Sequence, residues 1–81
     1  MKLPRNVAAD ELIKSLQKIG YLVTRQKGSH IRLTCILPTG EHHLTIPNHN
    51  PIKIGTLSAI LTDVSRFHKI SKEELINKIF G

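Results

Sequence analysis

Residues 21–27 (YLVTRQK) and 30–37 (HIRLTCIL) are both rich in apolar and β-branched side chains, and only Gly28-Ser29 separates them. A two-residue connection returns the chain as an antiparallel hairpin, and a glycine at its first position supplies the positive φ of a type II′ turn. So tight a corner also fixes register. Lys27 faces His30, Gln26 faces Ile31 and Arg25 faces Arg32; counting on, Thr24 faces Leu33 and Leu22 faces Cys35. Side chains alternate along a strand, so Leu22, Thr24, Ile31, Leu33 and Cys35 are expected on one face of the sheet. Arg25, Lys27, His30 and Arg32 are expected on the other, with Tyr21, Val23 and Ile36 on that same face farther from the corner.

A third strand, HHLTIP (42–47), follows the turn signal PTGE. Pairing Pro38 with Glu41 sets Leu44 opposite Cys35 and Ile46 opposite Leu33, both on the apolar face, and leaves His43 and Thr45 on the open one. A slip of one residue would bury the arginines, which makes the register well specified. Pro47 ends the strand because it has no N–H to donate. Ahead of the strands, NVAADELIKSLQKIG carries Leu12, Ile13, Leu16 and Ile19 as a helical stripe and Gly20 as its stop. After them, IGTLSAILTDVSRF repeats the stripe with Leu57, Ile60, Leu61 and Val64, and SKEELINKIF forms a short last helix capped by Ser71 with Glu74. The order α-β-β-β-α-α predicts an α+β fold: a three-stranded antiparallel sheet with helices on one face. At 81 residues, with no repeats or linker, one domain over 1–81 is expected, with a modest core and a site on an open surface.

Twelve Lys and Arg against six Asp and Glu give a net charge of +6, and the hairpin register gathers part of it on one face. Like charges on adjacent strands repel unless an anion lies between them, so Arg25, Lys27 and Arg32 read as a phosphate-binding set. The imidazole of His30, set among these cations, can accept a proton, which makes it a candidate general base. His49, in the loop after Pro47, is a possible second acid–base group. His42 and His43 point to opposite faces, and no Cys pair or carboxylate stands at ligand spacing, so no metal and no cofactor are expected. His68 is expected to be solvated. Cys35 is the one cysteine and reads as a small buried apolar residue. Ser29 and His30 are adjacent, their side chains diverge, and a Ser–His nucleophile pair is not expected. The start MKLPRNVAADEL has no apolar signal core, and no stretch approaches the ~20 apolar residues of a membrane span; a cytoplasmic location is expected. The pattern alone leaves three uses of the basic face open: catalysis on RNA, RNA binding without catalysis, and docking of an acidic protein.

LIKSLQKIGYLVTRQKGSHIRLT followed by HHLTIPNHNPIKIGTLSAIL resembles the HicA (YcfA-like) toxins of toxin–antitoxin systems, from about Leu3 to Val64. The matching points, in order, are Gly20-Tyr21, Gly28-Ser29-His30, Ile46-Pro47, and Gly55-Thr56-Leu57 with Ile60. The resemblance implies a double-stranded-RNA-binding-like α-β-β-β-α fold, here with an extra short C-terminal helix. It also implies a metal-independent mRNA interferase and a HicB-like antitoxin partner. His30 corresponds to the family's catalytic histidine. Gly28, Ser29, Arg25, Lys27, Arg32 and Lys53 are then the expected RNA and phosphate contacts, Lys53 helped by the N-terminus of the helix that follows it. Where the family often carries a large aromatic shortly after the histidine, this chain has Ile31, Arg32 and Leu33.

Overall fold

The computed structural model describes residues 3–81. Its elements are α1 (Ala9–Gln17), β1 (Tyr21–Lys27), β2 (His30–Leu37), β3 (Gly40–Pro47), α2 (Ile54–His68) and α3 (Lys72–Phe80). The three strands form an antiparallel sheet in the order β1-β2-β3, as the order of sequence signals predicts. One face is buried. Leu12 and Leu16 of α1, Leu57, Leu61 and Val64 of α2, and Leu75 and Ile79 of α3 pack with Leu33, Cys35 and Ile46 in one cluster, each no more than 1% exposed.

Local chemistry explains the element ends. Gly20, at φ +103°, turns the chain out of the first helix, and a side chain there would press on the Cys35 sulfur at 3.3 Å. The Ser71 hydroxyl accepts from the Glu74 N–H at 3.0 Å, the expected cap of α3. Burial raises the Cys35 thiol above its ordinary range, which keeps it protonated and unreactive.

Two details depart from the expected register. The β2–β3 turn pairs Leu37 with Gly40, leaving Pro38-Thr39 as the two-residue loop, and sets Leu33 opposite Leu44 and Ile31 opposite Ile46. Proline's fixed φ suits the first central position of a turn. The shift is an even number of residues, so every side chain of β3 keeps its predicted face. The second departure is a β-bulge between Val23 and Arg25. Val23 pairs with Leu33 and Arg25 with Arg32, and Thr24 is the extra residue. Lys27, Gln26 and Arg25 pair as expected, but beyond the bulge the faces reverse. Tyr21 is fully buried instead of open, whereas Leu22 is 66% exposed and Thr24 is exposed instead of covered.

Tyr21 is the reason. Burying a tyrosine ring removes roughly 150–250 Å² from water, more than a leucine can, provided the hydroxyl finds a partner. Here it meets His42 Nδ1 at 2.6 Å, and His42 Nε2 lies 3.1 Å from Asp63 Oδ2 on α2. A carboxylate only accepts, so Nε2 donates to Asp63, and Nδ1 is the atom that faces the tyrosine hydroxyl. Burial is the main cause that raises the Tyr21 phenol well above its ordinary value, so it stays a donor. Phe67 stacks on His42 at 4.8 Å between ring centroids, and His68 lies against Tyr21 at 5.6 Å. His68 is therefore not solvated as expected: its Nε2 is buried without a hydrogen-bond partner.

Two predictions follow from this packing. Deleting Thr24 makes Val23 and Arg25 neighbours and restores a regular ladder with every other face unchanged. That variant should stay folded within about 1 kcal/mol of the parent in urea unfolding, the ordinary scale of a surface change. Deleting Val23 and Thr24 together turns Tyr21 outward and should cost about 3–5 kcal/mol, as loss of a buried aromatic does. The second prediction concerns acid. Burial, then the charges of His42 and Lys78, lower the His68 value. The unfolded chain then binds a proton more readily than the folded one, so stability is lost as pH falls through about 6.5. A His68→Phe variant should lose less stability than the parent between pH 7.5 and pH 5, measured by urea unfolding at each pH.

Candidate functional site

The Gly28-Ser29 corner forms as expected. Gly28 has φ +57°, and Ser29 is not in the left-handed region, the signature of a type II′ turn. Lys27 and His30 face each other across it. The strand ladder continues past Pro47: His30 registers with Pro47, and the Asn48 N–H donates to the Ser29 carbonyl at 2.7 Å. The corner is thus held from both flanks, by β1 pairing and by the chain leaving β3. The following loop is pinned in turn, because the His49 carbonyl accepts from the Ala9 N–H at 3.2 Å. His49 itself is exposed.

On the face away from the helices, Arg25, Lys27, His30, Arg32 and Thr45 line one shallow depression of about 260 Å³. Three of these five side chains carry a fixed positive charge. Arg25 and Arg32 are directly paired across the strands, where like charges destabilise. None of the three joins an ion pair among the described residues; those formed there are His42–Asp63, His43–Glu41 and Lys78–Glu74. The depression therefore offers guanidinium and ammonium donors, a histidine and a hydroxyl, with no carboxylate in its lining. It is open, as a domain this small requires, and its chemistry suits a phosphodiester lying across it.

Five residues expected at the site, Arg25, Lys27, Gly28, His30 and Arg32, are brought to this corner, with Ser29 between them in the turn. Lys53 is not among the residues that line the depression; it is exposed immediately before α2. Thr45 was assigned to the open face from register and had no role attached to it. Its place opposite Arg32 makes it part of the basin. One rung farther along the same face, His43 stands where register predicts, but its partners Thr24, Thr34 and Glu41 were missed. Thr24 Oγ1 is 3.0 Å from Thr34 Oγ1, which is 2.9 Å from His43 Nδ1, and Glu41 Oε2 lies 3.4 Å from His43 Nε2. Only the bulge turns Thr24 into this row, and nothing in a period-two reading marks it.

Among the described residues, no group of three or more His, Cys, Asp or Glu is placed to hold a metal ion. No helix among them is long and apolar enough to cross a membrane.

Compared with known proteins, no curated sequence and no solved structure matches the chain. A family model does: that of the HicA toxin of bacterial toxin–antitoxin systems, over residues 9–65. The match runs from the first residue of α1 to near the end of α2 and contains the whole sheet and its basic corner. With more than half its length inside that family model, the chain belongs to the HicA toxin family of bacterial toxin–antitoxin systems.

Proposed function

We propose that this toxin is a metal-independent endoribonuclease acting on mRNA, with His30 as its general acid–base group. The observation that carries the reading is the position of His30: it flanks a rigid two-residue corner and shares one open basin with Arg25, Lys27, Arg32 and Thr45. RNA brings its own nucleophile. His30 takes the proton from a 2′-hydroxyl, the 2′-oxygen bonds to the adjacent phosphorus, and the bond from phosphorus to the 5′-oxygen breaks. A 2′,3′-cyclic phosphate and a 5′-hydroxyl result, the leaving oxygen taking its proton from water or from His49. The two arginines and Lys27 hold the phosphate and offset the charge that grows on its oxygens. Gly28 and Ser29 bring the backbone of the corner close to the RNA. Lys53 offers a further phosphate contact where the strand runs on toward α2, aided by the helix N-terminus.

A toxin of this family is held inactive by an antitoxin, and a HicB-like protein is the proposed partner, acting in the cytoplasm. The alternative on the same fold is an RNA-binding module without catalysis.

Replacing His30 with Ala removes an exposed side chain, so fold and RNA affinity should persist. Cleavage of an mRNA by the purified variant should fall by roughly 10²–10⁴-fold, the range of one acid–base group, and growth arrest on expression should disappear. Undiminished cleavage by His30→Ala would remove His30 from the mechanism. Salt-sensitive RNA binding by the parent with no cleavage would leave the RNA-binding module in place of the nuclease.

A further inference from the structure

The open face does not end at the basic basin. Counting along the strands from the corner, the first rung is Lys27–His30 and the second is Arg25–Arg32–Thr45. The third holds Thr34 beside His43, with Thr24 turned into it by the bulge. Side chains two residues apart on one face are about 7 Å apart along a strand, the reach of a nucleoside from its phosphate. In this same rung Leu22, 66% exposed, pairs with Thr34, and the next rung carries Ile36, 71% exposed, beside Glu41. Among the described large hydrophobics these two are the most exposed, and both stand on the face that bears the charges.

A polar row crosses all three strands here, from the bulged Thr24 through Thr34 to His43. Its hydroxyls are joined at 3.0 Å, and the second meets an imidazole at 2.9 Å. Each hydroxyl has one proton and two lone pairs, so these internal bonds leave acceptor capacity open on the exposed side. Bulges near functional sites re-aim a side chain, and this one re-aims Thr24 out of the covered face into the row.

We infer that Thr24, Thr34 and His43, with Leu22 beside Thr34 and Ile36 one rung on, form a nucleobase subsite. This subsite presupposes the RNA-binding face proposed above. It receives the base next to the phosphate held by Arg25, Lys27 and Arg32. The hydroxyls and the imidazole meet the hydrogen-bonding edge of the base, and the two aliphatic side chains cover its flat face, as apolar side chains do for unstacked bases. With no aromatic side chain in the row, preference comes from the polar row and stacking support from the aliphatic pair. An RNA occupant fits better than a protein one because the patch runs without a break into a basin of unpaired cations.

The test uses the full chain carrying His30→Ala, so that RNA survives the measurement. Affinities are measured by fluorescence anisotropy for four short single-stranded RNAs that differ only in one central base. The parent should separate the best base from the worst by about tenfold, the scale of one stacked and hydrogen-bonded base. Thr24→Val with Thr34→Val keeps shape on an exposed row. It should bring the four affinities together while leaving the salt dependence, which reports phosphate contacts, unchanged. Leu22→Ser with Ile36→Ser should weaken all four RNAs about tenfold. Equal affinity of the parent for all four RNAs, or a base preference that survives the double valine variant, would overturn the subsite. So would a Leu22→Ser, Ile36→Ser variant that binds RNA normally but fails to bind an antitoxin protein, since the apolar pair would then belong to a protein interface. Cleavage by the chain with His30 restored is scored in parallel. Base preference without cleavage removes the nuclease and keeps the subsite; cleavage without preference does the reverse.

Discussion

In a regular strand, Tyr21 and Arg25, four residues apart, would share a face. Tyr21 is fully buried and Arg25 lines an open basin, so one residue between them must drop out of the alternation, and Thr24 is that residue. Much else depends on this. Tyr21 reaches His42 only from the covered side, and through His42 it reaches Asp63, which ties an edge strand to the opposite edge strand and to α2. With Thr24 paired regularly in the ladder, the strand would have to give up either its anchor or its charges. The ladder is sacrificed at one residue on the outer edge of the sheet, where an unpaired backbone group still meets water.

Most of the fold was legible because two periodicities carried it. Leu12 with Leu16, and Leu57 with Leu61 and Val64, stand on helical stripes and are all buried. Ile31, Leu33 and Cys35 alternate with Arg32, Thr34 and Ile36 as a half-covered strand must. The corner at Gly28-Ser29 was legible for a different reason: a two-residue loop admits few geometries, and only glycine takes the first position without strain. That is why the basic face from Lys27 to Arg32 could be drawn residue by residue. The bulge was not legible, because Tyr21, Leu22 and Val23 are all apolar and offer no alternation to count. What decided among them was a partner on β3 and a second on α2, contacts made across the chain. His68 failed for the same reason: it lies past the apolar stripe of α2, beside Lys69, and what packs on it from across the chain is Tyr21.

The division of labour between the two faces follows from size. A chain of 81 residues has one core to spend its apolar side chains on, and here all three helices are committed to the same side of the sheet. The other side stays open, so a binding site there must be built from strand side chains alone. Strands suit that use. Their spacing is fixed by the backbone ladder, and neighbouring side chains on one face form rows whose order is set by register, so that a basin of cations and a row of hydroxyls can lie next to each other without any loop to position them.

Such a face is also costly when empty. Arg25 and Arg32 are held opposite each other with no carboxylate lining the basin, and Leu22 and Ile36 stand in water beyond them. Neither arrangement helps the isolated protein fold; repulsion between the arginines weakens the β1–β2 pairing, and exposed aliphatic groups invite association. Both costs are relieved by one kind of occupant, an anionic chain that also carries apolar flat groups. A protein tail rich in carboxylates would relieve the first cost but not answer the hydroxyl row that stands beside the aliphatic pair. A single-stranded nucleic acid carries phosphate, hydrogen-bonding edge and stacking face at the spacing of one nucleotide, and this face sets cations next to a row of hydroxyls flanked by Leu22 and Ile36 over the same span.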